Sequence, residues 1–295
     1  MRYATPAAFR AALDQRLKTE AERTGLAVGR LRKRVAFELF LRRLVAVAPG
    51  RWVLKGAFAL DLRLDVATRT TKDIDLGRDD SADAAIEDIT AAQELDLGDF
   101  FSFFATRTDA FDDTDDFAAI RFHVRAELAG RTFEQFIVDI GLSDPVTGTP
   151  DTIRTSDLLS FAEIEPVELP AVPLAQHVAE KVHAYTRRYG ENQQASTRPK
   201  DLVDILLIAS AEGIDAGALR DALTRTFEQR ARQPLPDSLP PPPGDWARPF
   251  GRLAKDVSLE PDLDAAFTRA AAFLDPVLGG RVAGQWDPNT MRWED

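Results

Sequence analysis

Cysteine is absent from this 295-residue chain, which excludes disulfides and thiolate zinc sites. The three histidines, His123, His177 and His183, are too scattered to form a metal-ligand pattern. Long apolar runs are missing as well. No window reaches the length of a membrane span, and the N-terminus carries charges every few residues where a signal peptide needs an apolar core. A cytoplasmic protein without a membrane partner is expected. No internal repeat is evident. The acidic stretch Asp112-Asp113-Thr114-Asp115-Asp116 lacks the glycine and distal glutamate of an EF-hand loop and reads as a solvated turn.

What is present suffices for a full core. Hydrophobic residues make up 44% of the chain, and its length fits one large or two ordinary domains. The net charge of -11 is unevenly spread: residues 1–55 hold 13 Lys/Arg against 4 Asp/Glu, leaving 24 against 44 for the rest. Two readings of the basic run Arg30-Leu31-Arg32-Lys33-Arg34 stand side by side: a grip on a polyanion, or the solvated face of a helix.

Hydrophobic periodicity divides residues 6–48 into two helices separated near Gly25, an N-terminal helical lobe over 1–50. An α/β core over 51–165 follows. A short strand at 51–55 leads through Gly56 into a helix at 57–65, then a strand at 73–77. Ser81 caps a helix through about Leu95. Residues 101–106 are a strand candidate. Ile120, Phe122, Val124, Ala126 and Leu128 alternate with Arg121, His123, Arg125 and Glu127, and a turn at Gly130-Arg131 makes a hairpin with 132–140. From 166 onward, after a proline-marked break at 166–173, the chain turns helical. It is interrupted by a polyproline linker at 233–245 and ends in a tail whose two tryptophans, Trp286 and Trp293, pack back on the body. A helix stripe there stops at Asp275-Pro276.

The chemistry concentrates in Arg69-Thr70-Thr71-Lys72-Asp73-Ile74-Asp75-Leu76. Side chains alternate along a strand, so Asp73 and Asp75 share one face while Ile74 and Leu76 enter the core. Two like charges held that close call for a cation. Mg²⁺ suits them, with Mn²⁺ as the alternative, because it takes carboxylate oxygens together with substrate phosphates. Metal-assisted phosphoryl or nucleotidyl transfer is the reaction implied. Gly56, between strand and helix, lets backbone N–H groups approach an anion. Asp139, embedded in Phe136-Ile137-Val138-Asp139-Ile140, needs a partner: a metal shared with Asp73 and Asp75, or a salt bridge to Arg121 or Arg125.

Together, Leu54-Lys55-Gly56-Ala57, Arg69 to Asp75, Glu180-Lys181-Val182-His183-Ala184 and Arg198-Pro199-Lys200-Asp201-Leu202-Val203-Asp204 resemble the AbiEii toxin family, which includes the mycobacterial MenT toxins. That family lies within the nucleotidyltransferase superfamily with the DNA polymerase β type of core. The resemblance implies an α+β fold: a small mixed sheet with helices, an N-terminal helical lobe and a mostly helical C-terminal domain over 166–295. It implies a toxin that adds NMP from an NTP to the 3' end of tRNA, blocks translation and is paired with a cognate antitoxin. Asp73, Asp75 and Asp139 would hold two Mg²⁺. Lys181 would neutralise the triphosphate, with a surface ion pair as the alternative, and Asp201 would partner Lys181 or position the acceptor. Lys55, Gly56, Ala57, Thr71 and Arg198 would bind substrate, and Asp204 would anchor its helix through an ion pair. Ala57 departs from the superfamily's serine; Thr71 supplies a replacement hydroxyl or is a surface threonine at a strand entrance. The rival functions are transfer to a protein or small-molecule hydroxyl, and a non-catalytic module that binds nucleotide or a partner.

Overall fold

The structure, a computed structural model, describes residues 1–64, 71–108, 119–142, 146, 148–189, 194–230 and 233–294. Arg69, Thr70, the acidic turn at 112–116 and the pair Asp144-Pro145 lie outside the described residues. The chain divides into two compact units: Met1–Arg63, Thr70–Val146 and Pro150–Ala171 form one, and Leu64–Arg69, Thr147–Thr149 and Val172–Asp295 the other.

The first unit opens with α1 (Pro6–Thr24) and α2 (Val28–Val47). Thr5 caps α1 by accepting from the Ala8 N–H, Pro6 occupies the first turn, and Gly25 ends the helix at φ 73, a left-handed position. Then come β1 (Val53–Lys55), α3 (Gly56–Leu64), β2 (Asp73–Gly77), α4 (Ala82–Glu94), β3 (Phe101–Thr108), β4 (Ala119–Leu128), β5 (Arg131–Gly141), β6 (Asp151–Arg154) and β7 (Glu168–Ala171). Ser81 caps α4, accepting from the Ala84 N–H. The strands form one mixed sheet in the order β3-β4-β5-β2-β1-β7-β6; β2 with β5 and β1 with β7 are parallel, the other pairs antiparallel.

Alternation gives the β3-β4-β5 section two unlike faces. Phe103, Phe122, Val124, Phe136 and Val138 are buried among α1, α2 and α4, with Phe40 seated on both Phe103 and Phe136. Ser102, Phe104, Thr106, His123, Arg125 and Gln135 stand exposed on the other face. The β4-β5 turn is made by Ala129 and Gly130, both at positive φ (54° and 69°), the primed geometry that matches strand twist. Residues 1–50 form two helices that share one hydrophobic cluster with this sheet.

The proline-marked break at 166–173 contains β7, which joins the sheet between β1 and β6. It pairs with β1 only at Ala171, so Pro170 sits beside the end of that ladder and not in its middle.

The second unit contains α5 (Leu174–Thr186), the short strands β8 (Arg188–Tyr189) and β9 (Gln194–Ala195), α6 (Pro199–Ala211), α7 (Ala216–Arg230), α8 (Ala247–Asp256), α9 (Leu263–Leu278), and the tail hairpin β10 (Gln285–Asp287) and β11 (Arg292–Glu294). α5 packs on α6 and α7, and α6 on α8 and α9. The proline-rich segment is not a bare linker: Leu239 is buried and the Pro240 carbonyl accepts from Tyr185 Oη at 2.8 Å. α9 runs past Asp275-Pro276 to Leu278, with Pro276 inside its last turn. Trp286 is buried and donates to the Ala209 carbonyl at 2.7 Å, while Trp293 stacks on Phe273. That packing places the tail as expected. Among the described residues no helix is long and apolar enough to cross a membrane.

Candidate active site

Strand register builds the first cluster. Asp75 lies beside Asp139 in the parallel β2-β5 pair, Lys55 is opposite Asp75 in β1-β2, and Arg121 is opposite Asp139 in β4-β5. One row across four strands therefore reads Lys55, Asp75, Asp139, Arg121, two carboxylates flanked by two cations. Asp73 joins them two residues along β2 on the same face, and the intervening Ile74, Leu76, Val138 and Ile140 are buried. The three Asp side chains are half-buried, and each offers a carboxylate oxygen within 4.8 Å of the others. Three hard oxygen donors converging at partial burial fit a divalent ion such as Mg²⁺ or Mn²⁺.

Both sequence readings of Asp139 describe the same carboxylate. Arg121 grips it with two bonds, Nε to Oδ1 at 2.7 Å and Nη2 to Oδ2 at 2.8 Å. The bond to Asp139 holds the guanidinium pKa above its ordinary value against the pull of burial, and the charges of Asp73 and Asp75 add to it. A carboxylate oxygen keeps a second lone pair, so this bidentate pair and metal ligation are compatible. Arg121 appeared in the sequence only as one of two salt-bridge partners; what singles it out is the β4-β5 register.

Gly56 shapes the site from the side. Its φ is +64°, and a Cβ there would stand 1.8 Å from Asp75 Oδ2. The group filling the space this glycine leaves is thus the Asp75 carboxylate, set at the start of α3 where the helix dipole favours negative charge. Lys55, also buried, runs its stem over Gly77, where a Cβ would come within 2.8 Å of Cε. Thr71 donates its hydroxyl to Asp73 Oδ1, so it orients a carboxylate and is not an idle surface threonine. Ala57 is buried and offers no side-chain donor.

The second unit holds its own charged cluster. Lys181 Nζ lies 2.8 Å from Asp204 Oδ2 and 3.4 Å from Asp201 Oδ1, and Arg198 Nε donates to Asp201 Oδ2 at 2.8 Å. Asp201 is 0% and Asp204 1% exposed, so these carboxylates depend on their cations in place of water. Lys181 does not form the surface pair with Glu180 that its neighbourhood in sequence allowed; Glu180 bonds Gln176 and faces Arg230. Asp201 meets Lys181, and Asp204 anchors its helix through the same ammonium.

The basic run on α2 is spent internally. Arg30 pairs with Asp61 at 2.6 Å, Arg32 with Asp14 at 3.0 Å, Arg34 with Glu38 at 3.2 Å, and Lys33 reaches Glu134 at 4.0 Å. Their side chains are 14–24% exposed. Neither sequence reading describes them: they are not a solvated face, and a polyanion would have to compete with acids already in place.

The family model for the nucleotidyl transferase AbiEii toxin of type IV toxin–antitoxin systems matches residues 39–271. Among solved structures, the chain is similar to MenT4, a nucleotidyltransferase toxin from Mycobacterium tuberculosis H37Rv, at 20% identity and TM-score 0.53, covering 92% of this chain and 87% of that one. JHP933 from Helicobacter pylori matches at 15% identity and TM-score 0.40, over 88% of this chain and 91% of that one. Among curated proteins, none matches the sequence.

Proposed function

Because the chain belongs to the AbiEii family of nucleotidyl transferase toxins, we propose that it moves NMP from an NTP onto the 3' end of tRNA in the cytoplasm, blocking translation until a cognate antitoxin restrains it. The observation that carries the reading is the convergence of Asp73, Asp75 and Asp139 on one sheet face. In this reaction the acceptor's 3'-oxygen bonds to the α-phosphorus as the bond to pyrophosphate breaks. Asp73, Asp75 and Asp139 would hold a divalent cation, which would supply charge neutralisation for the phosphates and a lowered pKa for the attacking hydroxyl.

The chain's own residues prepare that event. Thr71 and Arg121 fix the carboxylates of Asp73 and Asp139, so little reorganisation is left for the moment of reaction. Lys55 brings a point charge to the row. Gly56 makes room for the Asp75 carboxylate at the start of α3, and Ala57 beside it offers phosphate no side-chain donor. The family words assign Lys181, Asp201 and Arg198 to the nucleotide's phosphates and the acceptor.

The test is to incubate the protein with total RNA, Mg²⁺ and each labelled NTP in turn. Label should enter tRNA and should vanish in Asp73→Ala, in Asp75→Ala and in chelator. Label appearing in protein or in a small molecule would replace tRNA as the acceptor, and full activity in either variant would overturn the carboxylate mechanism.

A further inference from the structure

The exposed face of β3, β4 and β5 continues the sheet face that carries the three carboxylates. In register, Thr108 and Arg121 share the row of Asp139 and Asp75; Thr106, His123 and Ile137 share that of Asp73; Phe104, Arg125 and Gln135 form the next row. Phe104 is 45% exposed, and among the described residues only Met1 is another large hydrophobic so open to solvent. Among the described residues Phe104 takes no part in the hydrophobic core, whose side of β3 is filled by Phe101 and Phe103. The guanidinium of Arg125 lies 4.8 Å from the Phe104 ring centre, and its Nε also bonds Glu127 at 3.0 Å. Arg121, His123 and Arg125 follow one another on the open face of β4, a basic stripe leading away from Asp139.

We propose that this face is the platform for the single-stranded 3' segment of the RNA acceptor, with one base stacked on Phe104 and the backbone tracked by Arg125 and His123. The inference rests on the nucleotidyl-transfer reading and adds to it the place where the acceptor lies. An exposed aromatic flanked by arginine on an open sheet face is what unpaired bases need: stacking accepts any base, and the cation meets the phosphate. Strand spacing and rise put Phe104 on the order of 15 Å from Asp139, so a strand ending at the carboxylates has its preceding nucleotides over the patch. A duplex would not offer a free base face to Phe104.

Phe104→Ala, Phe104→Trp and Arg125→Gln are surface changes whose melting temperatures should equal that of the wild type. Steady-state transfer is measured with tRNA and with the same tRNA trimmed of its single-stranded 3' end. Binding of both RNAs is measured in an Asp73→Asn background. Phe104→Ala should raise KM for RNA about tenfold, leaving KM for NTP and kcat at saturating RNA unchanged, while Phe104→Trp keeps wild-type affinity. Arg125→Gln should flatten the salt dependence of binding by about one counterion. The inactive protein should lose its preference for untrimmed tRNA when Phe104 is alanine. If wild-type protein labels RNA and Phe104→Ala has an unchanged KM for RNA, the platform is overturned and the transfer reading stands. A KM change confined to NTP would seat the nucleotide's own base there and equally overturn it. If wild-type protein labels no RNA at all, both fail together.

Discussion

A methyl group added at Gly56 would stand 1.8 Å from Asp75 Oδ2, so the turn into α3 and the carboxylate on β2 are built against each other. Gly56→Ala would push that carboxylate aside and strain a backbone at φ +64°. Transfer should fall by roughly a hundredfold or more, the scale of a misplacement near 1 Å at a reacting centre. Kinetics alongside a melting curve check this: a protein that stays folded with intact turnover would show that Asp75 has room to move.

Arg121 and a metal ion draw on the same carboxylate. In Arg121→Gln, Asp139 loses its bidentate cation and the three Asp side chains repel one another more strongly. Mn²⁺ should then bind roughly three- to tenfold tighter, a span appropriate to a partly exposed pair. Metal should also raise the melting temperature of the variant by more than it raises that of the wild type. Calorimetric titration reads the affinity directly, and equal values in the two proteins would mean that guanidinium and metal do not compete.

Lys181 offsets two carboxylates that are almost wholly sealed from water. Removing one partner of a buried ion pair costs about 3–5 kcal/mol, so Lys181→Ala should lower the melting temperature on the order of 10 °C in addition to any loss of transfer. Lys181→Arg keeps the charge and should recover most of the stability. An unchanged melting curve for the alanine variant would show that water reaches Asp201 and Asp204 without cost.

Glu38 on α2 is buried, and burial pushes its pKa above 4.5 although Arg34 and Ser156 pull it down. The native state thus holds the proton to higher pH than the unfolded chain. Stability from this group is fully present below about pH 4.5 and declines as pH rises through the native pKa. Glu38→Gln keeps one oxygen to accept from the Ser156 N–H, can donate from its amide nitrogen to the Ser156 hydroxyl oxygen, and cannot ionise. Urea unfolding at pH 4 and pH 8 should show the variant gaining on the wild type at the higher pH; a constant difference would mean that the glutamate is already charged in the native state.

The period-2 pattern was enough to place Asp73, Asp75 and Asp139 on polar strand faces, because parity along a strand is a local property. Ser81 as a cap and the apolar stripes of α1 and α2 were legible for the same reason: their partners lie within a turn or two of chain. Tertiary structure alone set Asp75 beside Asp139 and Arg121 across from it, since register between distant strands depends on how their buried faces interlock. It decided that β7 completes the sheet despite Pro170, and that Thr71 serves Asp73. It also dissolved the basic stretch of α2, whose charges Asp14, Asp61, Glu134 and Glu38 meet one by one. A sequence records how much charge a segment carries. Which charges remain available to a partner depends on separations of a few ångströms between residues far apart in the chain, and only folding fixes those.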